Sequence, residues 1–141
     1  VSLARPVTQP AAQPTTSPTT VANPPAQFTP SGKQFTSSGK VEHVSEGSFR
    51  KDVLEVNAPV LVDFYADWCG PCRKLAPVLD RVARESTDAK IVKINIDRNP
   101  SLAAKYKVQS IPTMLVFRDG SVVAQHKGLA DGATVKRLIE K

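Results

Sequence analysis

Val62-Asp63-Phe64-Tyr65-Ala66-Asp67-Trp68-Cys69-Gly70-Pro71-Cys72 joins an apolar run to two cysteines three residues apart. The run from Pro59 to Ala66 is continuous but for Asp63, which reads as a central strand buried on both faces. From Gly70 to about Ser86 the apolar positions Leu75, Val78, Leu79, Val82 and Ala83 recur at helical spacing. The cysteines therefore stand where a buried strand hands over to a long helix. A helix N-terminus leaves N–H groups unpaired and carries a partial positive charge. That field stabilises a thiolate at Cys69 and lowers its pKa, which makes Cys69 the candidate nucleophile. Cys72 lies one turn deeper and is expected to be the more buried, as the resolving thiol of a small disulfide ring. Pro71 lacks an N–H and has a pre-set φ, so it suits the first turn. Pro77, inside the helix, is expected to bend it.

Working outward, Val41–Val44 alternates and starts a sheet, and Ser45 is placed to cap a helix through Phe49, Val53 and Leu54. Lys90 to Ile96 is a second central strand. Asn99-Pro100 reads as a cap and first-turn proline opening a short helix to Tyr106. Thr113 to Phe117 is a third strand, Asp119-Gly120 a hairpin turn, and Ser121 to Lys127 the returning strand. Asp131 caps a last helix carrying Val135, Leu138 and Ile139. Alternating strands and helices imply parallel pairing, and the closing hairpin implies an antiparallel edge. The predicted fold class is α/β, a mixed sheet with helices on both faces.

Composition divides the 141 residues unevenly. Seven of the twelve prolines fall in the first 40 residues, which hold no Asp or Glu and only Arg5, Lys33 and Lys40 as basic residues. Ordering such a segment opposes an entropy of roughly 1–2 kcal/mol per residue with little apolar surface to bury. Residues 1–40 are read as a disordered or polyproline-II-like linker and residues 41–141 as the folded domain. Half of the net charge of +6 belongs to that acid-free segment. Basic residues in the remainder are scattered without interleaved aromatics, which argues against nucleic-acid binding. No apolar stretch approaches the roughly 18 residues of a membrane span. Two cysteines are too few for a disulfide scaffold.

The segment from Val62 to Cys72 closely resembles the active-site segment of the thioredoxin family. Lys93-Ile94-Asn95-Ile96-Asp97, Ser110-Ile111-Pro112-Thr113, and Asp119-Gly120 followed by Gly128 match further family segments in order and at the right spacing. The resemblance covers residues 41–141. It implies a thioredoxin-like sheet and a thiol–disulfide oxidoreductase that reduces protein disulfides. Asp63 looks like the family's buried carboxylate and proton acceptor for Cys72, with Lys93 as its charge partner. Trp68 looks like the aromatic lid beside Cys69, and Pro112 like the cis-proline packed on the disulfide. With Gly70 and Pro71, these positions imply a substrate surface. Ile111 would offer its backbone to an extended substrate chain, and Gly128 would keep the neighbouring loop low. The cysteine pair carries the electrons, so no cofactor is implied, and no GxGxxG fingerprint occurs. Tyr65 stands where the best-known bacterial members have a second Trp, a change expected to be neutral for chemistry. Ser110 stands where some members have Gly.

Other readings of the same residues stand beside these. The cysteines as zinc ligands would need partners that the isolated His43 and His126 do not supply by spacing. A purely structural disulfide would constrain little in so small a ring. Asp63 as a structural polar group, Lys93 on a solvated strand face and Pro112 as a trans edge proline are the plain alternatives. Two rival functions remain: an exported oxidase or isomerase of the same fold, and a binding module with incidental thiols. The expected partners are disulfide-containing proteins and a separate reductase or membrane electron donor, acting on a monomer. The Pro/Thr-rich segment favours an extracytoplasmic, periplasmic setting, as a linker after an export signal or membrane anchor, over a cytoplasmic or organellar one.

Overall fold

A computed structural model describes Phe35 and residues 37–141. The linker reading for residues 1–34 and 36 lies outside the described residues. Ser37 Oγ donates to the Ser86 carbonyl at 3.1 Å, ahead of the first strand. Five strands form one sheet: β1 (Val41–His43), β2 (Val60–Tyr65), β3 (Lys90–Asn95), β4 (Thr113–Arg118) and β5 (Ser121–Lys127), in the order β1-β3-β2-β4-β5. The helices are α1 (Gly70–Glu85), α2 (Pro100–Lys105) and α3 (Gly132–Ile139).

β1, β3 and β2 are parallel, and β4 and β5 close the sheet as an antiparallel hairpin. β4 is also antiparallel to β2, against the expectation that every strand–helix–strand unit pairs in parallel. The chain returns to the sheet at the end where β2 and β3 leave it, since Thr113 at the start of β4 pairs with Phe64 near the end of β2. From that end β4 runs back, antiparallel to β2. The hairpin turn has positive φ at both central residues, Asp119 (52°) and Gly120 (83°), the backbone that matches strand twist.

Leu61, Ile91, Met114 and Val116 cover one face of the sheet and pack on Leu75, Leu79 and Val82 of α1 and on Val135, Leu138 and Ile139 of α3. Val60, Val62, Phe64, Val92, Ile94, Leu115 and Phe117 cover the other, packing on Val44, Phe49, Val53 and Leu102. β2 is thus apolar on both sides except at Asp63. One register line crosses all five strands: His43, Lys93, Asp63, Met114 and His126 are successive partners from β1 to β5. Residues opposite each other in register share a face, so this row belongs to the face that α1 and α3 cover.

Two caps differ from expectation. Ser45 heads a turn, its carbonyl accepting from the Ser48 N–H at 3.1 Å. The helix that follows is a single wide turn, Arg50–Leu54, closed by the Glu55 N–H donating to Arg50 O. Asn99 does not cap α2 with its side chain. Its amide donates to Asn95 O, and its Oδ1 accepts from the Glu46 N–H. Glu46 Oε2 instead accepts from the Ser101 N–H in the first turn of α2 at 2.9 Å, a favourable place for a carboxylate. Asp131 caps α3 as expected, accepting from the Thr134 N–H at 2.8 Å. Among the described residues, no helix is long and apolar enough to cross a membrane.

Candidate active site

Cys69 is the N-cap residue of α1, in extended conformation, and its Sγ accepts the Cys72 N–H at 3.1 Å. A sulfur here takes the place of the oxygen that caps most helices, and negative charge on it is stabilised by the positive end of a 16-residue helix. Cys69 and Cys72 are joined by a disulfide, with Cα atoms 5.2 Å apart. The two cysteines are equally buried, each 4 % exposed, where Cys72 was expected to be the deeper. The bond ties both sulfurs into one cluster with Ala66, flanked by Tyr65, Ile96 and Ile111. Cys72 also borders a cleft of about 260 Å³, which Tyr65, Asp67, Arg73 and Lys93 help to line.

The loop between β2 and α1 is tied down by Arg73, whose guanidinium donates twice to the Asp67 carbonyl. Trp68 stands out beside Cys69 at 64 % exposure, and its indole N–H donates to Asp97 Oδ2 at 2.9 Å. Gly70 and Pro71 form the exposed first turn, and a Cβ on Gly70 would meet nothing within 4 Å. The Ile111–Pro112 peptide bond is cis. Pro112 O accepts the Gly128 N–H at 2.7 Å, which brings the loop after β5 against the proline. Gly128 has φ +94°, a conformation that glycine adopts without penalty, and the space above its Cα is open. Cys69, Cys72, Ile111, Pro112 and Gly128 therefore meet at one end of the sheet.

Asp63 lies within β2, on the sheet face that α1 and α3 cover, 1 % exposed and with no hydrogen-bond partner for either carboxylate oxygen among the described residues. Burial pushes its pKa up to about 7, against a smaller downward pull from Lys93. Lys93 is the register partner of Asp63 but makes no ion pair with it. Its ammonium sits over the Tyr65 ring, 4.4 Å from the centroid. The expected charge partner thus acts on Asp63 through its field, with no ion pair between them.

Contacts not read from the sequence include Trp68 to Asp97, Lys93 to Tyr65, Arg73 to the Asp67 carbonyl, and the Tyr65 hydroxyl to His43 Nδ1 at 3.4 Å. His43 and His126 occupy the two edge strands, and the His126 ring contacts the Leu129 carbonyl at 3.3 Å. Among the described residues, no three His, Cys, Asp or Glu side chains gather as a metal ion would require.

The thioredoxin family profile matches residues 40–141. Thioredoxin 1 of Synechococcus elongatus is 46% identical over 99 residues, covering 70% of this chain and 92% of its own. The thioredoxin of Pseudomonas aeruginosa is 48% identical over 92 residues, 64% of this chain and 85% of its own. Among solved structures, a mutant thioredoxin from Halobacterium salinarum superposes with a TM-score of 0.69 at 41% identity, covering 76% of this chain and 94% of that one.

Proposed function

Because this chain belongs to the thioredoxin family, we propose a residue-level mechanism for its activity. The protein is a thiol–disulfide oxidoreductase that reduces protein disulfides, and a reductase partner restores its dithiol. In the proposed cycle the Cys69 thiolate attacks one sulfur of a substrate disulfide. The substrate S–S bond breaks, one substrate thiolate leaves, and a mixed disulfide forms on Cys69. Cys72 gives its proton to the Asp63 carboxylate and attacks Cys69 Sγ. The mixed disulfide breaks, the second substrate thiolate leaves and takes up a proton, and the Cys69–Cys72 disulfide forms. Two electrons have passed from the dithiol to the substrate. Trp68, Gly70, Pro71, Ile111, Pro112 and Gly128 form the surface on which the substrate chain lies, with the Ile111 backbone as its pairing edge. The chemistry runs on the cysteine pair with no bound cofactor.

The observation that carries this reading is the sulfur of Cys69 at the N-cap of α1, hydrogen-bonded to the Cys72 N–H. The test is Cys72→Ser mixed with a disulfide-containing protein. A stable mixed disulfide through Cys69 is expected, found by non-reducing electrophoresis and mass spectrometry. No adduct with Cys72→Ser, or an equally stable one with Cys69→Ser, overturns the assignment. The acid-free, Pro/Thr-rich composition before the domain supports a spacer role for that segment, an extracytoplasmic setting and a membrane electron donor.

A further inference from the structure

Lys93 has two acceptors within reach of its side chain. Asp63 stands directly opposite it in the β2–β3 register, and Tyr65, two residues on, lies diagonally on the same face. The ammonium is found over the Tyr65 ring, at the cleft that borders Cys72. The ring offers a cation–π contact while the cleft still admits water. The ring is itself fixed at its hydroxyl end, which reaches across β3 to His43 Nδ1, and the two rings pack edge to face with centroids 6.2 Å apart. Among the described residues the Asp63 oxygens are left with no hydrogen-bond donor. A carboxylate in direct contact with an ammonium is a weaker base than one left alone.

We propose that Tyr65 is a positioning residue, whose ring draws the Lys93 ammonium toward the Cys72 cleft and so keeps Asp63 basic enough to receive the Cys72 proton. This rests on the reading of Asp63 as proton acceptor, and it assigns a task to a position that the sequence left neutral. The titratable and charged groups around the ammonium are His43 from β1, Asp63 and Tyr65 from β2, Asp67 from the following loop, and Cys72 and Arg73 from α1. Met114 of β4, the other register neighbour of Asp63, carries no charge. With the ring gone, Asp63 is the carboxylate opposite Lys93 that lacks any donor of its own.

The test is the titration of the Asp63 carboxyl carbon by NMR in the oxidised protein, alongside the pH profile of insulin-disulfide reduction. Tyr65→Leu is expected to lower the Asp63 midpoint by about one pH unit, the lower end of the effect of an adjacent opposite charge. The acid limb of turnover is expected to move with it. Tyr65→Phe keeps the ring and is expected to keep the midpoint. In a Lys93→Met background, Tyr65→Leu is expected to leave the midpoint where that background puts it, since no ammonium remains to be released. An equal shift in both backgrounds would assign the effect to packing and overturn the proposal, as would no shift in either. The unaltered protein gives a check that needs no variant: the ring must move the Lys93 ε-methylene protons upfield, and ordinary shifts there overturn the contact. Failure of the proton-acceptor reading looks different: Asp63→Asn would then leave turnover unchanged, while the Asp63 midpoint would still respond to Tyr65→Leu.

Discussion

The indole of Trp68 and the carboxylate of Asp97 are joined by a 2.9 Å hydrogen bond between the segments that leave β2 and β3. Trp68 is the chain's one tryptophan, and it stands 64 % exposed beside Cys69. An exposed indole with a single polar tether owes its orientation to that tether. Asp97→Ala is therefore expected to raise the mobility of Trp68, seen as lower fluorescence anisotropy. The lost hydrogen bond is exposed, so stability should fall by no more than about 1 kcal/mol. The Michaelis constant for a protein disulfide should rise a few-fold with kcat unchanged. An unchanged anisotropy would show that the loop backbone, and not Asp97, holds the ring.

Asp63 links stability to pH with a defined sign. Its folded pKa of about 7 lies above the ordinary 3.8, so between these values the folded protein holds a proton that the unfolded chain has released. The preference for the fold is full below about pH 4, falls as pH rises, and is gone above about pH 7. The span of about three pKa units corresponds to about 4 kcal/mol as an upper figure. Asp63→Asn is expected to stabilise the oxidised protein by up to that amount at pH 8 and by little at pH 4, measured by urea denaturation. Equal stability differences at both pH values would place the Asp63 pKa near its unfolded one.

The same carboxyl governs rate in the proposed cycle. Below about pH 7 Asp63 is protonated and cannot accept the Cys72 proton, so resolution of the mixed disulfide should slow as pH falls through that value. Asp63→Asn is expected to slow resolution at neutral pH by about 10²-fold, the lower end for loss of a general base, and to remove this acid limb. Stopped-flow release of the second substrate thiol measures both.

Gly128 carries a backbone demand without a packing demand. Its φ is +94°, yet a Cβ there would touch nothing within 4 Å. Gly128→Ala is expected to destabilise by about 1–2 kcal/mol through the backbone alone. A larger side chain, as in Gly128→Val, would also stand in the open space over Pro112 and weaken binding of protein disulfides. A small disulfide reagent should react with both variants at nearly the parent rate. Equal losses for both reagents would remove Gly128 from the substrate surface.

Local signals were legible where a single segment decides its own structure. The apolar run of β2, the helical spacing after Cys72, the Asp119-Gly120 turn and the Asp131 cap each depend on residues close in sequence. The direction of β4 was not legible, because no local pattern says at which end of the sheet the connection after β3 returns the chain. The Glu46 cap on α2 was missed because its partners lie 55 residues apart. At the site, the cysteines, Asp63 and Pro112 could be named from their motifs. The contacts of Lys93 with Tyr65 and of Trp68 with Asp97 required the β2–β3 register, which no local pattern supplies.

That register has a consequence for how the protein polices its own assembly. Strand β2 is apolar on both faces, so hydrophobic alternation gives a slipped pairing little to object to. Asp63 is the exception. A slip of one residue would turn the strand over, thrusting a carboxylate into the opposite aromatic-rich layer beside Phe49 and Phe117 and taking it away from the thiols. The group proposed to receive the Cys72 proton is also the mark by which a misthreaded sheet is rejected, so chains that reach the wrong pairing forfeit cohesion and competence together.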